Sequence, residues 1–113
     1  MLVNPTVRRR NMSAYLFTLV ADYAGGTYIS QCRASDARSA VMWWVDEGLH
    51  ELAVLRVDRR LREKVRRELL SGEEQPVALA GMKGVWCAGV VSLRRKLLLL
   101  NVVKTNGGRA RRK

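Results

Sequence analysis

The chain has 113 residues, a net charge of +11 and an apolar content of 48%. This length fits one domain whose core needs no disulfide or metal, and the apolar content excludes an intrinsically disordered chain. The longest aliphatic run, Leu97–Leu100, is far too short to span a membrane, and the N-terminus has no apolar segment of signal-peptide type. We therefore expect a cytoplasmic protein without membrane contact.

Most of the excess charge lies near the two ends of the chain. Seven of the 21 basic side chains lie within residues 8–10 and 109–113, so residues 11–104 carry a net charge of only +4. We predict one domain over residues 12–105, a flexible basic arm over 1–11 and a flexible basic tail over 106–113. Because Met12 stands just before the first apolar run, residues 1–11 are alternatively an upstream extension from a mis-called start.

Two apolar runs near the N-terminus predict a β-hairpin. Residues 15–23 and 27–34 are rich in aromatic and β-branched side chains, and Ala24-Gly25-Gly26 separates them. A glycine pair supplies the positive φ angles that tight hairpin turns require. The first run is apolar on both faces, which predicts a strand that is inside the sheet or partly covered on both sides.

A capped amphipathic helix is predicted to follow this hairpin. Ser35 or Asp36 stands at the N-cap position, and Gly48 stands where a C-cap glycine belongs. We interpret Trp44 as a core residue because it lies on the apolar stripe. Trp43 lies at the edge of the stripe and is either a boundary residue or a contact residue for a protein partner. The stripe has helical spacing and consists of Ala37, Ala40, Val41, Trp44 and Val45.

Residues 14–48 resemble the hairpin-helix unit of HicB-like antitoxins in the order of their elements. The shared features are a Gly-Gly pair ahead of a Tyr-containing strand, and an Ala-containing helix capped by Ser or Asp. The Pro-Gly segment usual between the strands of that family is missing, and no DNA-binding tail domain follows.

The clearest helix of the chain is predicted over residues 58–70. Residues 49–57 before it favour a short strand or extended link, with a helix as the alternative. Asp58 can cap the helix and Ser71-Gly72 can end it, while Leu61, Val65 and Leu69 form a narrow apolar stripe. The basic surface is either a solvated face or a face that contacts phosphates. Its members are Arg59, Arg60, Arg62, Lys64, Arg66 and Arg67.

A second β-hairpin is predicted near the C-terminus. Residues 77–80 suit an edge strand, and residues 85–93 and 96–104 are two further strands joined by Arg94-Arg95. Gly89 indicates a bulge or a close backbone approach. The last run is apolar on both faces, so we expect it to be central in the sheet or buried in a dimer.

These elements predict an α+β fold in which two β-hairpins, with about four strands or five, form an antiparallel sheet. Two amphipathic helices pack against the sheet, in the order ββα(β)αββ. If both helices cover one face, the other face is too apolar for water and a homodimer follows. If they cover opposite faces, a monomer suffices.

The sequence shows no catalytic or metal-binding motif, and we expect no cofactor and no small-molecule ligand. His50 is the only histidine and has no ligand partner at metal spacing. Cys32 and Cys87 are interpreted as small buried hydrophobic residues of a reducing compartment.

We therefore expect a non-enzymatic binding module of regulatory or immunity type. It acts through protein–protein contact, with an unknown partner or with itself, using Trp43 and the apolar sheet face. The alternative is an RNA- or DNA-binding domain that uses the basic helix and the tail, with Tyr23, Tyr28 and Trp86 as stacking surfaces. Its candidate contact residues are Arg59, Arg60, Arg62, Lys64, Arg66, Arg67, Arg94, Arg95 and Lys96.

Overall fold

The structure, a computed structural model, describes residues 14–52, 56–72 and 75–105. The predicted basic arm and basic tail lie outside the described residues. The chain forms two helices and five strands within these ranges. They are β1 (Tyr15–Tyr23), β2 (Gly26–Ala34), α1 (Ala37–Trp43), α2 (Arg59–Leu70), β3 (Val77–Ala78), β4 (Val85–Leu93) and β5 (Lys96–Thr105).

The strands form one antiparallel sheet in the order β2-β1-β5-β4-β3, which confirms the α+β prediction and the central position of β5. The predicted element order needs a correction. The fifth strand is the short edge strand β3, which follows α2, and residues 49–52 and 56–57 of the link between the helices form no strand. The first helix instead continues beyond α1 through a π-helical turn at Trp44–Gly48. It then ends in a 3-10 turn at Leu49–Glu51.

Each hairpin closes through a two-residue turn in the left-handed region. Ala24 and Gly25 have φ angles of 52° and 83°, so the first turn lies one residue earlier than predicted and Gly26 already belongs to β2. Arg94 and Arg95 form the second turn with φ angles of 50° and 69°. Asparagine and glycine usually occupy such positions, since a residue with a Cβ loses about 1 kcal/mol there. The arginine pair is therefore an unusual choice for this turn.

Local signals placed both helix N-termini correctly. The Asp36 carboxylate accepts a hydrogen bond from the Ser39 amide at 2.8 Å, and the Asp58 carboxylate accepts one from the Leu61 amide at 2.9 Å. The predicted stripe of the first helix is buried, including Trp44 at 1% exposure. These caps and the stripe confirm the predicted helix starts and the core role of Trp44.

The prediction that Gly48 ends the first helix is wrong. Its φ angle is −74°, and the helical path continues to Glu51. A Cβ on Gly48 would overlap the Trp44 indole ring. Glycine is thus needed here because a buried aromatic ring packs directly against the backbone.

Helix α2 packs across β4 at Gly89. The register of β4 against β5 shifts between Cys87 and Gly89, which is a β-bulge. A Cβ on Gly89 would lie 3.1 Å from Leu69 Cδ2, and its φ angle is 142°. Both predictions for Gly89, the bulge and the close approach, are confirmed.

Both helices lie over the same face of the sheet. On that face, alternate residues of the central strands are fully buried, among them Phe17 and Leu19 of β1 and Leu98 and Leu100 of β5. Their neighbours along each strand point to the other side, where no element of the described ranges covers them. The chain therefore adopts the arrangement in which both helices cover one face of the sheet and leave the other face uncovered.

Candidate interaction surfaces

The uncovered side of the sheet, which we call the open face, is largely apolar. Ile29 and Leu97 are each 64% exposed and Val90 is 53% exposed, while the more central side chains are half-buried by one another. Strand alternation and register place ten apolar side chains on this surface. They are Leu16, Val20, Ile29, Val77, Val85, Cys87, Val90, Leu97, Leu99 and Val103.

Polar side chains of the open face bond to one another across the strands. Gln31 Nε2 of β2 donates to Thr18 Oγ1 of β1 at 2.9 Å, and Thr18 Oγ1 lies 2.7 Å from Thr105 Oγ1 of β5. Near the first turn, Thr27 Oγ1 donates to Asp22 Oδ1 at 2.6 Å. Since these groups already have protein partners, covering the open face leaves fewer of their hydrogen bonds to be broken.

A shallow depression of about 480 Å³ lies at one end of the open face. The first hairpin turn forms one wall, and Val90, Leu97 and Leu99 supply apolar side chains to it. This end of the surface can accept a protruding apolar side chain from another molecule.

Trp43 does not belong to the open face. It lies on α1, in the helix layer, where it is half-buried and packs against the core. Its removal would disturb packing as well as any partner contact. Trp43 stays a predicted contact residue, and the structure does not bring it together with the apolar sheet face.

A second surface, which we call the basic cluster, joins α2 to the second hairpin turn. Arg60, Lys64 and Arg67 lie on one side of α2, and Arg94 reaches the same shallow depression of about 410 Å³. Asp58 and Leu61 complete its lining. Four of the nine predicted contact residues therefore lie close together, although Arg94 is far from the helix in the chain.

Two other predicted contact residues of α2 are turned toward the turns that extend α1. Arg66 Nη2 donates to Asp46 Oδ1 at 2.6 Å in an ion pair. Arg62 Nη2 lies 2.6 Å from His50 Nε2, and since the guanidinium can only donate, His50 accepts there. These two arginines link α2 to Trp44–Glu51. The remaining candidates, Arg59, Arg95 and Lys96, are exposed and do not line the basic cluster.

The prediction that aromatic rings offer stacking surfaces is not supported by their positions. Tyr23 is buried and donates its hydroxyl to the Leu93 carbonyl at 2.9 Å, so the prediction is wrong for this residue. Trp86 packs against Phe17 with ring centroids 5.9 Å apart. Tyr28 is half-buried against the same core. All three rings lie on the helix-covered face of the sheet.

The two cysteines are free and lie on opposite faces of the sheet. Cys32 of β2 lies on the helix-covered face, where burial raises its pKa to about 11 and keeps the thiol neutral at physiological pH. Cys87 of β4 lies on the open face. Among the described residues, no cluster of three or more His, Cys, Asp or Glu side chains is placed to hold a metal ion.

Sequence patterns contained most of the signal for the open face. The two-sided apolar character of β1 and β5 indicates a second apolar surface, but it does not identify Ile29 of β2 or Val90 of β4 as part of that surface. The strand register places both on the open face, because Ile29 lies opposite Val20 and Val90 lies opposite Leu99. The sequence grouped Arg94 with the basic helix by charge alone, and it carried no signal that Arg60, Lys64 and Arg67 are the residues of α2 that lie beside Arg94.

Comparison with known proteins identifies no relative of this chain. In the described ranges, neither helix has the length and apolar character needed to cross a membrane. No family model, no curated protein and no solved structure matches the chain.

Proposed function

We propose that this protein is a non-enzymatic binding module that acts by protein–protein contact through the open face. The observation that carries the proposal is the apolar surface left by two helices that both cover the other side of the sheet. Exposed apolar patches of this extent on small domains are typical of interaction sites. A regulatory or immunity role remains part of the proposal.

The hydrogen bonds within the open face support the proposal that a partner covers this surface. Gln31, Thr18 and Thr105 bond along one line across three strands. A partner that packs there removes water from apolar side chains and meets few unpaired polar groups.

Site-specific photocrosslinking in cells tests this proposal. A benzoyl-phenylalanine at position 97 reports on the open face, because Leu97 is 64% exposed and the bulkier side chain fits without repacking. We expect one discrete crosslinked protein species after irradiation.

Position 42 provides the matched control. Met42 is 44% exposed on α1, in the helix layer, and we expect no adduct from it. The absence of any protein adduct from both positions 97 and 90 would contradict a protein-binding role for the open face.

Binding to a nucleic-acid backbone is the second candidate function. The observation in its favour is the convergence of Arg60, Lys64, Arg67 and Arg94 in the basic cluster. Arg94 also sits in a left-handed conformation that disfavours arginine, and residues kept in such conformations are often functional. Each phosphate contact that is made releases counterions, so the affinity should fall steeply with salt.

Charge reversal within the basic cluster tests the second candidate. We expect Arg60→Glu with Lys64→Glu to abolish oligonucleotide binding, measured by fluorescence anisotropy at two salt concentrations. Arg56→Glu with Lys83→Glu, at two exposed positions outside the cluster, is the matched control because it changes the net charge by the same amount. Arg62 and Arg66 are unsuitable because their reversal would also break contacts to His50 and Asp46.

Arg94→Asn separates function from stability in the same experiment. Asparagine tolerates the left-handed conformation, so the free energy of unfolding should rise by about 1 kcal/mol. Oligonucleotide affinity should fall at the same time, because one cation leaves the cluster. An affinity equal to that of the unchanged protein would argue against a role for the cluster.

A further inference from the structure

We propose that the occupant of the open face is a second copy of this chain, packed sheet against sheet in a symmetric dimer. This inference rests on the proposed function and names its partner. Three properties of the open face support self-association: its size, its charge pattern and its position relative to the basic helix.

The size of the open face suits a dimer interface. Strands of nine or ten residues are about 30 Å long, and four of them side by side are about 19 Å wide, which gives a footprint of about 600 Å². Specific interfaces bury about 600 to 1,000 Å² on each partner. Two apolar sheet faces also pack well together, since their side chains interdigitate in a layer about 10 Å thick.

The charge pattern of the open face is self-complementary. Asp22 lies at the end of β1 beside the first hairpin turn, and the exposed Arg33 of β2 lies at the opposite end of the sheet, in register with Leu16. A two-fold axis in the interface, perpendicular to the strands, reverses the strand direction of the second copy. It therefore brings Asp22 of each copy near Arg33 of the other. The two charges then compensate in a surface that is otherwise uncharged.

The position of the basic helix favours contact through the open face over other contacts between copies. The chain carries a net charge of +11, so two copies repel one another. α2 and its arginines lie on the helix-covered side of the sheet. Packing the open faces together places these helices on the two outer surfaces of the dimer, where their mutual repulsion is weakest.

Sedimentation equilibrium of the full chain tests the proposal. We expect the unchanged protein to form dimers, and Leu97→Lys and Val90→Lys each to raise the dimer dissociation constant by about 100-fold or more. The effect is large because symmetry places each new lysine in the interface twice, where it loses its hydration. Both residues are more than half exposed in the single chain, so the variants should fold, as thermal unfolding can verify.

Met42→Lys is the matched control, an equal substitution of an exposed apolar residue in the helix layer. It should leave the dissociation constant unchanged. A full chain that stays monomeric at every concentration would overturn the proposal, and so would a dimer that Leu97→Lys leaves intact.

Thiol alkylation supplies an independent readout of the same interface. Cys87 lies on the open face, so its reaction with a maleimide should be slower in the unchanged protein than in Leu97→Lys. Cys32 on the covered face serves as the internal reference and should react equally in both. Equal rates at Cys87 in a dimer and a monomer would argue against burial of the open face.

Hydrogen exchange distinguishes this dimer from one built through the free edge of β2. In the hairpin register, the amides of Thr27, Ile29, Gln31 and Arg33 point away from β1. They should exchange readily in a face-to-face dimer, and their protection would overturn the proposal in favour of edge pairing. A monomer in solution whose position 97 crosslinks to a different protein would overturn only the choice of partner and leave the proposed function standing.

Discussion

Gly48 shows how one residue type can serve different physical needs. Glycine near the end of a predicted helix normally indicates a left-handed cap, but here the residue has an ordinary helical φ angle of −74°. The requirement comes from Trp44, whose indole ring occupies the space that a side chain would need. Only the packing of a ring one turn away reveals this requirement.

We predict that Gly48→Ala lowers the free energy of unfolding by about 1 to 3 kcal/mol, because the added methyl group must displace the buried Trp44 ring. Chemical denaturation followed by tryptophan fluorescence measures the change. Glu47→Ala, at the exposed neighbouring position, should change stability by less than about 0.5 kcal/mol. An unchanged or increased stability of Gly48→Ala would contradict the packing constraint, because alanine is the better helix former at an ordinary helical φ angle.

The arginines of this protein differ in what they contact, although they look alike in sequence. Arg62 and Arg66 contact the turns after α1, whereas Arg60 and Arg67 line the basic cluster with Arg94. The pattern of α2 correctly indicated a basic face. It could not separate arginines that hold the fold from arginines that are free for a ligand, because that depends on what lies opposite each one.

At the scale of elements, α1 stabilises the end of α2. The Arg38 guanidinium of α1 donates to the carbonyl oxygens of Leu70 at 2.7 Å and of Gly72 and Gln75 at 2.9 Å. The last carbonyls of a helix have no partner within it, and a cation there also suits the helix dipole. Ser71-Gly72 correctly indicated where α2 ends, while the residue that satisfies this end lies on another element.

We predict that Arg38→Met lowers the free energy of unfolding by about 2 kcal/mol, because it removes charge-assisted hydrogen bonds from partly buried carbonyl groups. Thermal or chemical unfolding measures the loss. Arg59→Met is the matched control, since Arg59 is exposed in the first turn of α2. It should change stability by less than about 0.5 kcal/mol. Equal effects of the two substitutions would contradict the capping role of Arg38.

The whole molecule separates its two candidate surfaces into different layers. The helices and the basic cluster lie on one side of the sheet, and the open face lies on the other. A small α+β domain needs to cover only one sheet face to form its core. Here the buried residues between the helices and that face, among them Phe17 and Val102, form a single hydrophobic cluster. The second face carries no helix, so its apolar side chains stay accessible to a partner.

We predict that the two surfaces act independently. Leu97→Lys should change the affinity for a short oligonucleotide far less than Arg60→Glu does, and Arg60→Glu should change the dimer dissociation constant far less than Leu97→Lys does, because the sites share no contacts. Anisotropy and sedimentation, each applied to both variants and to the double variant, measure this. If the changes in binding free energy of the two single variants did not add in the double variant, the two surfaces would be energetically coupled.

The sequence by itself determined the features that depend on neighbours in the chain. The caps Asp36 and Asp58, the buried stripe of the first helix, both hairpins and the Gly89 bulge were predictable because their signals are local. The tertiary structure alone decided which sheet face each helix covers, why Gly48 is glycine, how Arg38 caps α2 and where Arg94 meets the basic helix. These features depend on contacts between residues far apart in sequence, and the hydrophobic pattern of a helix shows only that it packs, not on which side. That choice left the open face uncovered, and with it the surface on which the proposed function rests.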